Sequence, residues 1–461
     1  MSKSLLASWL DIVADWRGSF PQQRTFRRAL RQALASLVCL GRRCLSRIIW
    51  THGGQQRSWS GEYFLHSRSP WEPQTLFASV FRRALLYYPG RLVGLAVDDT
   101  RLRKTGRSIP HVFRQRDPLS PPFHVNLMLG LRFLQASLLL PLHQLAQAGC
   151  RALPIRFEEV PPIKKPSRKA GKKAWAEYKK MTKLHNLSHS FVQMMGRLRQ
   201  ALDEAGGAAK TLVLALDGSF CNRTCLRAPR QRTELIARTR KDAVLCFRAP
   251  KPSRRFYDAQ TFTPQQIRQN ERLRWKETKL FYGGKRRKIR YKEVNHVYWR
   301  RGAARLPLGL FVVAPTAYRK RKAAKLCYRQ PAYLLTTDLN TSAKQLLQIY
   351  FDRWQIEVNH RDEKETLRLG QAQLRHLKGV PKQAALVVAA YSALLLASLQ
   401  AFGIERGKAY PVLPKWRRHA CRPSCLDLVT LLRKEMVDHP ELTEHLHLHL
   451  TDRALTQAAA A

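Results

Sequence analysis

The sequence predicts an α/β fold, and three observations carry that reading. Two continuous apolar runs, residues 92–97 and Thr211–Leu216, read as buried strands, and each stops at an aspartate. A stretch of short strands rich in Lys and Arg follows them. A helix-patterned run then carries Tyr350, Arg353, Glu357 and Lys364 at steps of three, four and seven residues. At 3.6 residues per turn, those steps stack all four side chains on one helical face.

Taken in order, residues 1–88 read as helical. Phe26, Leu30, Ala33, Leu34, Leu37 and Val38 recur with helical period behind Thr25 as a cap. Arg27, Arg28, Arg31, Arg42, Arg43 and Arg47 decorate the polar side, and a second helix is expected after a turn at Gly41. Such arginine-bearing helix–turn–helix units dock in the major groove of DNA. From Arg91 the pattern changes to strands. The 92–97 run ends in Asp98-Asp99-Thr100, and residues 123–133 and 136–140 read as two further strands of an antiparallel meander. Residues 162–183 read as a lysine-rich loop and 185–205 as an amphipathic helix feeding the 211–216 strand, which ends in Asp217-Gly218. Two core strands that each end in a carboxylate imply partners for both, since an unpaired buried carboxylate is costly.

Between residues 236 and 330, segments 278–282 and 288–292 flank Gly283-Gly284, a two-residue hairpin signal, and segments 294–300 and 308–313 extend that sheet. Within the 294–300 strand, Tyr298 and Trp299 stand beside Arg300 and Arg301, an aromatic pair next to phosphate-binding charge. Residues 332–337 return to the core, and Thr341 or Ser342 caps the helix carrying Tyr350 to Lys364. The apolar run 384–402 is interrupted by Tyr391, Ser392, Ser398 and Gln400, which reads as a buried helix rather than a membrane span.

Composition narrows the function. Lys and Arg number 83 against 32 Asp and Glu, a formal net charge of +51, which calls for a polyanionic partner. The charge is spread over the whole chain rather than one amphipathic arm, so nucleic acid fits and a membrane surface does not. The first twenty residues contain acids and a broken apolar run, unlike a secretory signal. The nine cysteines show no disulfide framework, which fits a reducing cytoplasm. Cys221/Cys225 and Cys421/Cys425, the latter near His419, are poor zinc spacings and read as small buried thiols; His445, His447 and His449 would not share a helix face.

The order strand–strand–strand–helix–strand, a β insertion, then strand and helix, with carboxylates at Asp98, Asp217 and Glu357, is that of a ribonuclease H-like core. Phosphodiester cleavage by water needs a deprotonated nucleophile and charge stabilisation on the leaving oxygen, which two divalent ions supply. Hard oxygen ligands suit Mg2+, with Mn2+ as substitute. Asp98 rather than Asp99 is taken as the first ligand because it directly follows the apolar run. The expected organisation is a helical DNA-end-binding region at 1–88, core at 89–235, a basic β insertion at 236–330, core with the signature helix at 331–405, and a C-terminal region at 406–461 with dimerisation as its candidate role.

Tyr350-x2-Arg353-x3-Glu357-x6-Lys364 matches every fixed position of the signature of one family of bacterial insertion-sequence transposases, and the Asp98-Asp99-Thr100 and Asp217-Gly218 contexts are similar to its two upstream acidic motifs. The chain thus resembles the DDE cut-and-paste transposases over roughly residues 90–400. The resemblance implies Asp98, Asp217 and Glu357 as catalytic metal ligands for two Mg2+ ions. It also implies that Arg353 and Lys364 contact the backbone of the transposon end and that Tyr350 positions its phosphate. The partners it implies are double-stranded DNA, as terminal inverted repeats and target, and a second copy of the chain in a synaptic homodimer. The family's hairpin intermediate implies a receiver for a flipped base, for which Trp299 is the candidate. The competing readings are another ribonuclease H-like nuclease and a domesticated, non-catalytic DNA-binding protein.

Overall fold

The structure is a computed structural model that describes residues 4–117, 120–121, 123–145, 149–319, 321, 323–404, 410, 422–446 and 448. His419, Cys421, His447 and His449 lie outside the described residues, as does most of 406–461. The protein is mixed α/β and gathers into two compact units. One holds Met1–Tyr87, Asp99–Tyr178 and Ile356–Ala461; the other holds Tyr88–Asp98 and Lys179–Gln355. These groupings differ from the sequence-based boundaries, because residues far apart in the chain share each core.

In the first unit the Gly379–Phe402 helix explains that sharing. It is apolar on all sides, long and apolar enough to cross a membrane, yet 94% of its most apolar window is buried inside the protein. A helix without a polar face must be covered all round. The Leu5–Ala14 and Gln23–Val38 helices help to cover it, and Trp9 donates its indole N–H to the Ala390 carbonyl at 3.1 Å. Glu435, on the Cys425–Asp438 helix, accepts from the Leu5 and Leu6 N–H groups at 3.1 and 2.6 Å, which places a carboxylate at the start of a helix.

Two N-terminal expectations change. Gln22, not Thr25, occupies the cap position of the Gln23–Val38 helix, and Thr25 is buried in its first turn. Arg43 is not on a polar face: it is buried, and its guanidinium donates to the Leu37 and Cys39 carbonyls at 3.1 Å each. It thereby satisfies carbonyls that the helix end leaves open. Burial pushes its pKa down to about 10.

The strands of this unit are the second half of β1 (Leu92–Arg103), β2 (Phe113–Arg116), β3 (Leu127–Leu140) and β4 (Arg151–Glu159). The two strands expected at 123–133 and 136–140 are one, β3, and its register shifts between Ala136 and Ser137 opposite Pro154 of β4. The lysine-rich stretch expected to be a loop contains a helix, Lys172–Leu184.

The second unit is built on a sheet in the order β1, β5 (Thr211–Leu216), β6 (Thr233–Arg238), β14, β11, β10, β9. Between β6 and β9 the chain forms β7 (Leu245–Arg248) and β8 (Tyr257–Phe262), a separate ladder. There follow β9 (Lys276–Tyr282), β10 (Lys285–Val297), β11 (Leu308–Val313), the short pair β12 (Ala317–Tyr318) and β13 (Cys327–Tyr328), and β14 (Ala332–Thr336). β1, β5 and β6 run parallel, and the ladders from β6 through β14, β11, β10 and β9 are antiparallel. The stretch read as an insertion therefore continues the central sheet through β9, β10 and β11. The hairpin expected at Gly283-Gly284 is present, with φ of +60° and +81° at the two glycines, as a two-residue turn with both central residues left-handed requires.

One face of this sheet is covered by the Ala343–Asp352 helix, which Ser342 caps by accepting from the Gln345 N–H. Leu346 and Leu347 pack with Val213, Ala215, Ile236, Phe311 and Leu334. Gln348 takes both backbone groups of Phe281, accepting from its N–H at 2.8 Å and donating to its carbonyl at 3.0 Å, so the edge strand β9 is tied to the helix.

Candidate active site

The register of β1 and β5 sets the site. Residues pair from Leu92 with Thr211 through Val97 with Leu216, and the next residues along are Asp98 and Asp217. Residues in register on parallel strands point to the same face. That face is the one under the Ala343–Asp352 helix: a Cβ added at Gly94 would meet the Ile349 side chain at 3.1 Å, and Val213 and Ala215 pack against Leu346 and Leu347. Residues 94, 96 and 98 share it with 213, 215 and 217. Asp98 and Asp217 are thus neighbours at the place where the parallel ladder stops.

The same alternation turns Asp99 to the opposite side, where its carboxylate accepts from Arg132 Nε at 2.8 Å. β1 continues past both aspartates to Arg103, so Asp98 lies within its strand rather than at its end, while Asp217 directly follows β5. Asp217 also starts a short 3-10 turn, its carbonyl accepting from the Phe220 N–H at 3.1 Å.

The helix and its C-cap bring two further groups to this face. Arg353 Nη1 stands 3.8 Å from Asp98 Oδ2, with side chains only 13% and 20% exposed. Its guanidinium also lies 5.9 Å from the centre of the Tyr350 ring. Burial pushes the Tyr350 hydroxyl above its ordinary pKa and Asp217 acts in the same direction, while Arg353 and Arg238 oppose them. Tyr350 is therefore neutral, beside Asp217, Arg353 and Arg238. Arg238, at the end of β6, was not anticipated; the signal was a cation closing a core strand, the mirror of the aspartates closing the other two.

The four signature residues do not share one continuous helix. The Ala343–Asp352 helix ends before Arg353, a second helix runs Gln355–Arg361, and a π-helical turn covers Asp362–Thr366. Tyr350 and Arg353 belong to the second unit; Glu357, partly exposed, and Lys364, exposed, belong to the first. Trp299 is not in a strand. β10 ends at Val297, where a bulge and a left-handed His296 (φ +57°) turn the chain, and the Trp299 carbonyl accepts from the Gly302 and Ala303 N–H groups. The indole lies against Gly302 so closely that a Cβ there would stand 2.2 Å from the ring. It lines a cavity of about 1910 Å³ that begins at Gly218 and is walled by Arg238, Arg268, Arg300, Phe256 and Tyr257.

Hard carboxylate oxygens side by side suit Mg2+ or Mn2+. Among the described residues, no group of three or more His, Cys, Asp or Glu side chains is gathered as a metal cage. The Cys221 and Cys225 thiols are held protonated by burial, which pushes them up to about 12 and about 11, as expected of small buried thiols.

Asp98 and Asp217 thus stand side by side where the parallel ladder stops, with Arg353 and Tyr350 beside them. The family model for the DDE superfamily endonuclease matches residues 17–306, which include both aspartates and Arg238. The chain belongs to that superfamily. A comparison with curated proteins gave no match. Among solved structures, a cryo-EM structure of the piggyBac transposase synaptic complex with hairpin DNA aligns at 13% identity over 98% of this chain and 80% of that one. Its TM-score is 0.34, a likeness too slight to transfer any property.

Proposed function

We propose that the protein is a cut-and-paste DNA transposase of the insertion-sequence type, binding terminal inverted repeats and catalysing metal-dependent strand cleavage and strand transfer. The observation that carries this reading is the β1–β5 register, which sets Asp98 beside Asp217 under the helix bearing Tyr350, with Arg353 at its C-cap. Asp98, Asp217 and Glu357, four residues beyond Arg353, would hold two Mg2+ ions. The ions would supply an activated water or 3′-hydroxyl and stabilise the leaving oxygen.

The chain's own groups do the rest. Tyr350, kept neutral, donates a hydrogen bond to a phosphate oxygen. Arg353 and Lys364 neutralise the backbone on either side of the scissile bond, and Arg238 extends that charge toward the cavity. Trp299, with one face on Gly302, offers the other to a base flipped from the end. The N-terminal helical region recognises the repeats, two copies of the chain hold the paired ends, and the excess of +51 charges supports binding along the whole DNA path in a bacterial cytoplasm.

The test uses a labelled duplex carrying the DNA that brackets the gene. Wild type should retard it in a gel and cleave it only with Mg2+ or Mn2+. Asp98→Asn, Asp217→Asn and Glu357→Gln should each retard it equally and cut nothing. Undiminished cleavage by any of the three removes that residue from the site; retardation without cleavage by wild type supports the non-catalytic reading.

A further inference from the structure

The aspartate site leaves the lysine-rich stretch of the chain unused. That stretch carries the Lys172–Leu184 helix, 13 residues long, not one of them buried. A helix of that length is marginal on its own in water. This one also gathers like charges on one side. Lys172, Lys173, Lys179, Lys180 and Lys183 fall within an arc of about 120° around the helix axis, with Ala176 at its centre. All five lysines are exposed. Trp175, Tyr178 and Met181, at steps of three, take the opposite side and are half-buried. Trp175 and Tyr178 meet edge to face with ring centres 6.0 Å apart, and Lys165 Nζ lies 5.7 Å from the centre of the Trp175 ring. That contact draws in the segment ahead of the helix, where Lys164, Arg168 and Lys169 are also exposed.

The lysine side invites a polyanion. Glu177 is the helix's only acid and lies to one side of the arc, and among the described residues none of the five lysines enters an ion pair. Lys179 and Lys183, four residues apart, repel one another. From Lys172 to Lys183 the helix rises roughly 16 Å, about one cation per 3–4 Å, against one phosphate per about 3.4 Å along each strand of DNA. A membrane surface is a poorer match. An interfacial helix turns its aromatic side outward into the lipid, whereas here the aromatic side is half-buried and the lysines face out. The cations of this side are all lysines, compact point charges that bind phosphate without the planar fork of arginine. Such contacts position DNA and carry no sequence information.

We propose that the Lys172–Leu184 helix is a sequence-independent arm that grips the phosphate backbone of duplex DNA through its lysine side. The arm rests on the DNA-binding part of the proposed function and is separate from the aspartates that would cut. It adds affinity for any duplex and no preference for the terminal repeats.

The experiment uses the full-length protein and a duplex of random sequence. Lysines are acetylated by a brief pulse of an N-hydroxysuccinimide ester, with and without the duplex, and read by mass spectrometry. Lys172, Lys179 and Lys183 should be protected by DNA. Equal reactivity with and without DNA overturns the proposal, as does protection by phosphatidylserine vesicles but not by DNA. The second measurement is the salt dependence of binding between about 50 and 200 mM. It compares wild type with a variant combining Lys172→Gln, Lys173→Gln, Lys179→Gln, Lys180→Gln and Lys183→Gln, since Gln matches Lys as a helix former and removes the charge. Each lost contact lowers the slope by about 0.9; with three lost, wild type should shed about 40-fold more affinity than the variant over that range. The corresponding five Lys→Arg changes should keep the wild-type slope. An unchanged slope in the Gln variant, an equal fall in the Arg variant, or a larger effect on the DNA that brackets the gene than on random sequence overturns the proposal. Cleavage separates the arm from the enzyme. Wild type whose lysines are protected but which cuts no DNA keeps the arm and loses the transposase reading; wild type that cuts while these lysines stay reactive does the reverse.

Discussion

Replacing Asp217 with Asn should make the metal-free protein more stable and abolish its response to Mg2+. Adjacent strands lie about 4.8 Å apart, so two carboxylates in register start from about that separation. At about 5 Å and an effective dielectric constant of about 20, their repulsion is roughly 3 kcal/mol. Arg353, 3.8 Å from Asp98, offsets part of it, and Asp98 is 20% exposed to screening water. A relief of about 1–2 kcal/mol is what remains. In a unit of this size that raises the melting temperature by roughly 2–8 °C. Asp217 is the informative position because removing Asp98 would also break its ion pair with Arg353. Calorimetry in chelator and again in Mg2+ is the assay. At ten times its dissociation constant, the ion should stabilise wild type by about 1.4 kcal/mol and the variant not at all. A variant that melts below wild type in chelator would show that the two carboxylates do not confront one another. An Mg2+ shift that survives in Asp217→Asn would place the metal elsewhere.

Two further substitutions probe the same geometry. Asp99→Ala should keep the full Mg2+ response, because Asp99 faces Arg132 at 2.8 Å on the other side of β1; its cost should appear only as about 1 kcal/mol of stability, read from denaturant melts. Gly302→Ala should displace the Trp299 indole, which a Cβ would approach to 2.2 Å, without forcing the backbone from an allowed conformation. The expected readout is a change in tryptophan emission together with a weaker response of 2-aminopurine placed at the DNA end; unaltered emission would mean that the turn yields and the ring does not.

What the sequence made legible was whatever depended on one stretch of chain. The β5 run, the Gly283-Gly284 hairpin, the Ser342 cap and the burial of the Gly379–Phe402 helix each follow from local pattern. What stayed hidden depended on partners. The lysine-rich stretch around Lys172–Leu184 looked like a loop because of its charge, although Lys and Ala are good helix formers and Gly171 stands just before its start. β4 escaped notice because Pro154 interrupts its pattern, and only the bulge at Ile155 of β4, next to that proline, shows how the sheet accommodates a missing N–H. The break between Asp352 and Gln355 had no local signal, since Arg, Trp and Gln are all compatible with a helix. Spacing alone therefore overstated how closely Tyr350, Arg353, Glu357 and Lys364 share a face.

The choice between Asp98 and Asp99 shows where sequence reasoning stops and structure takes over. An apolar run followed by two aspartates fixes that a carboxylate leaves the core there, but the face each one takes depends on which strand pairs alongside and in which register. A slip of one residue between β1 and β5 would exchange them, bringing Asp99 to the side of Tyr350 and Arg353 and Asp98 to the side of Arg132. Gly94 works against the slip. It is the one position on that face where β1 carries no side chain, and Ile349 of the covering helix fills the space at 3.1 Å. Shifted by one, β1 would set Val93 or Leu95 against Ile349. The glycine thus favours the observed register, and that register brings Asp98 beside Asp217 while Asp99 turns to Arg132.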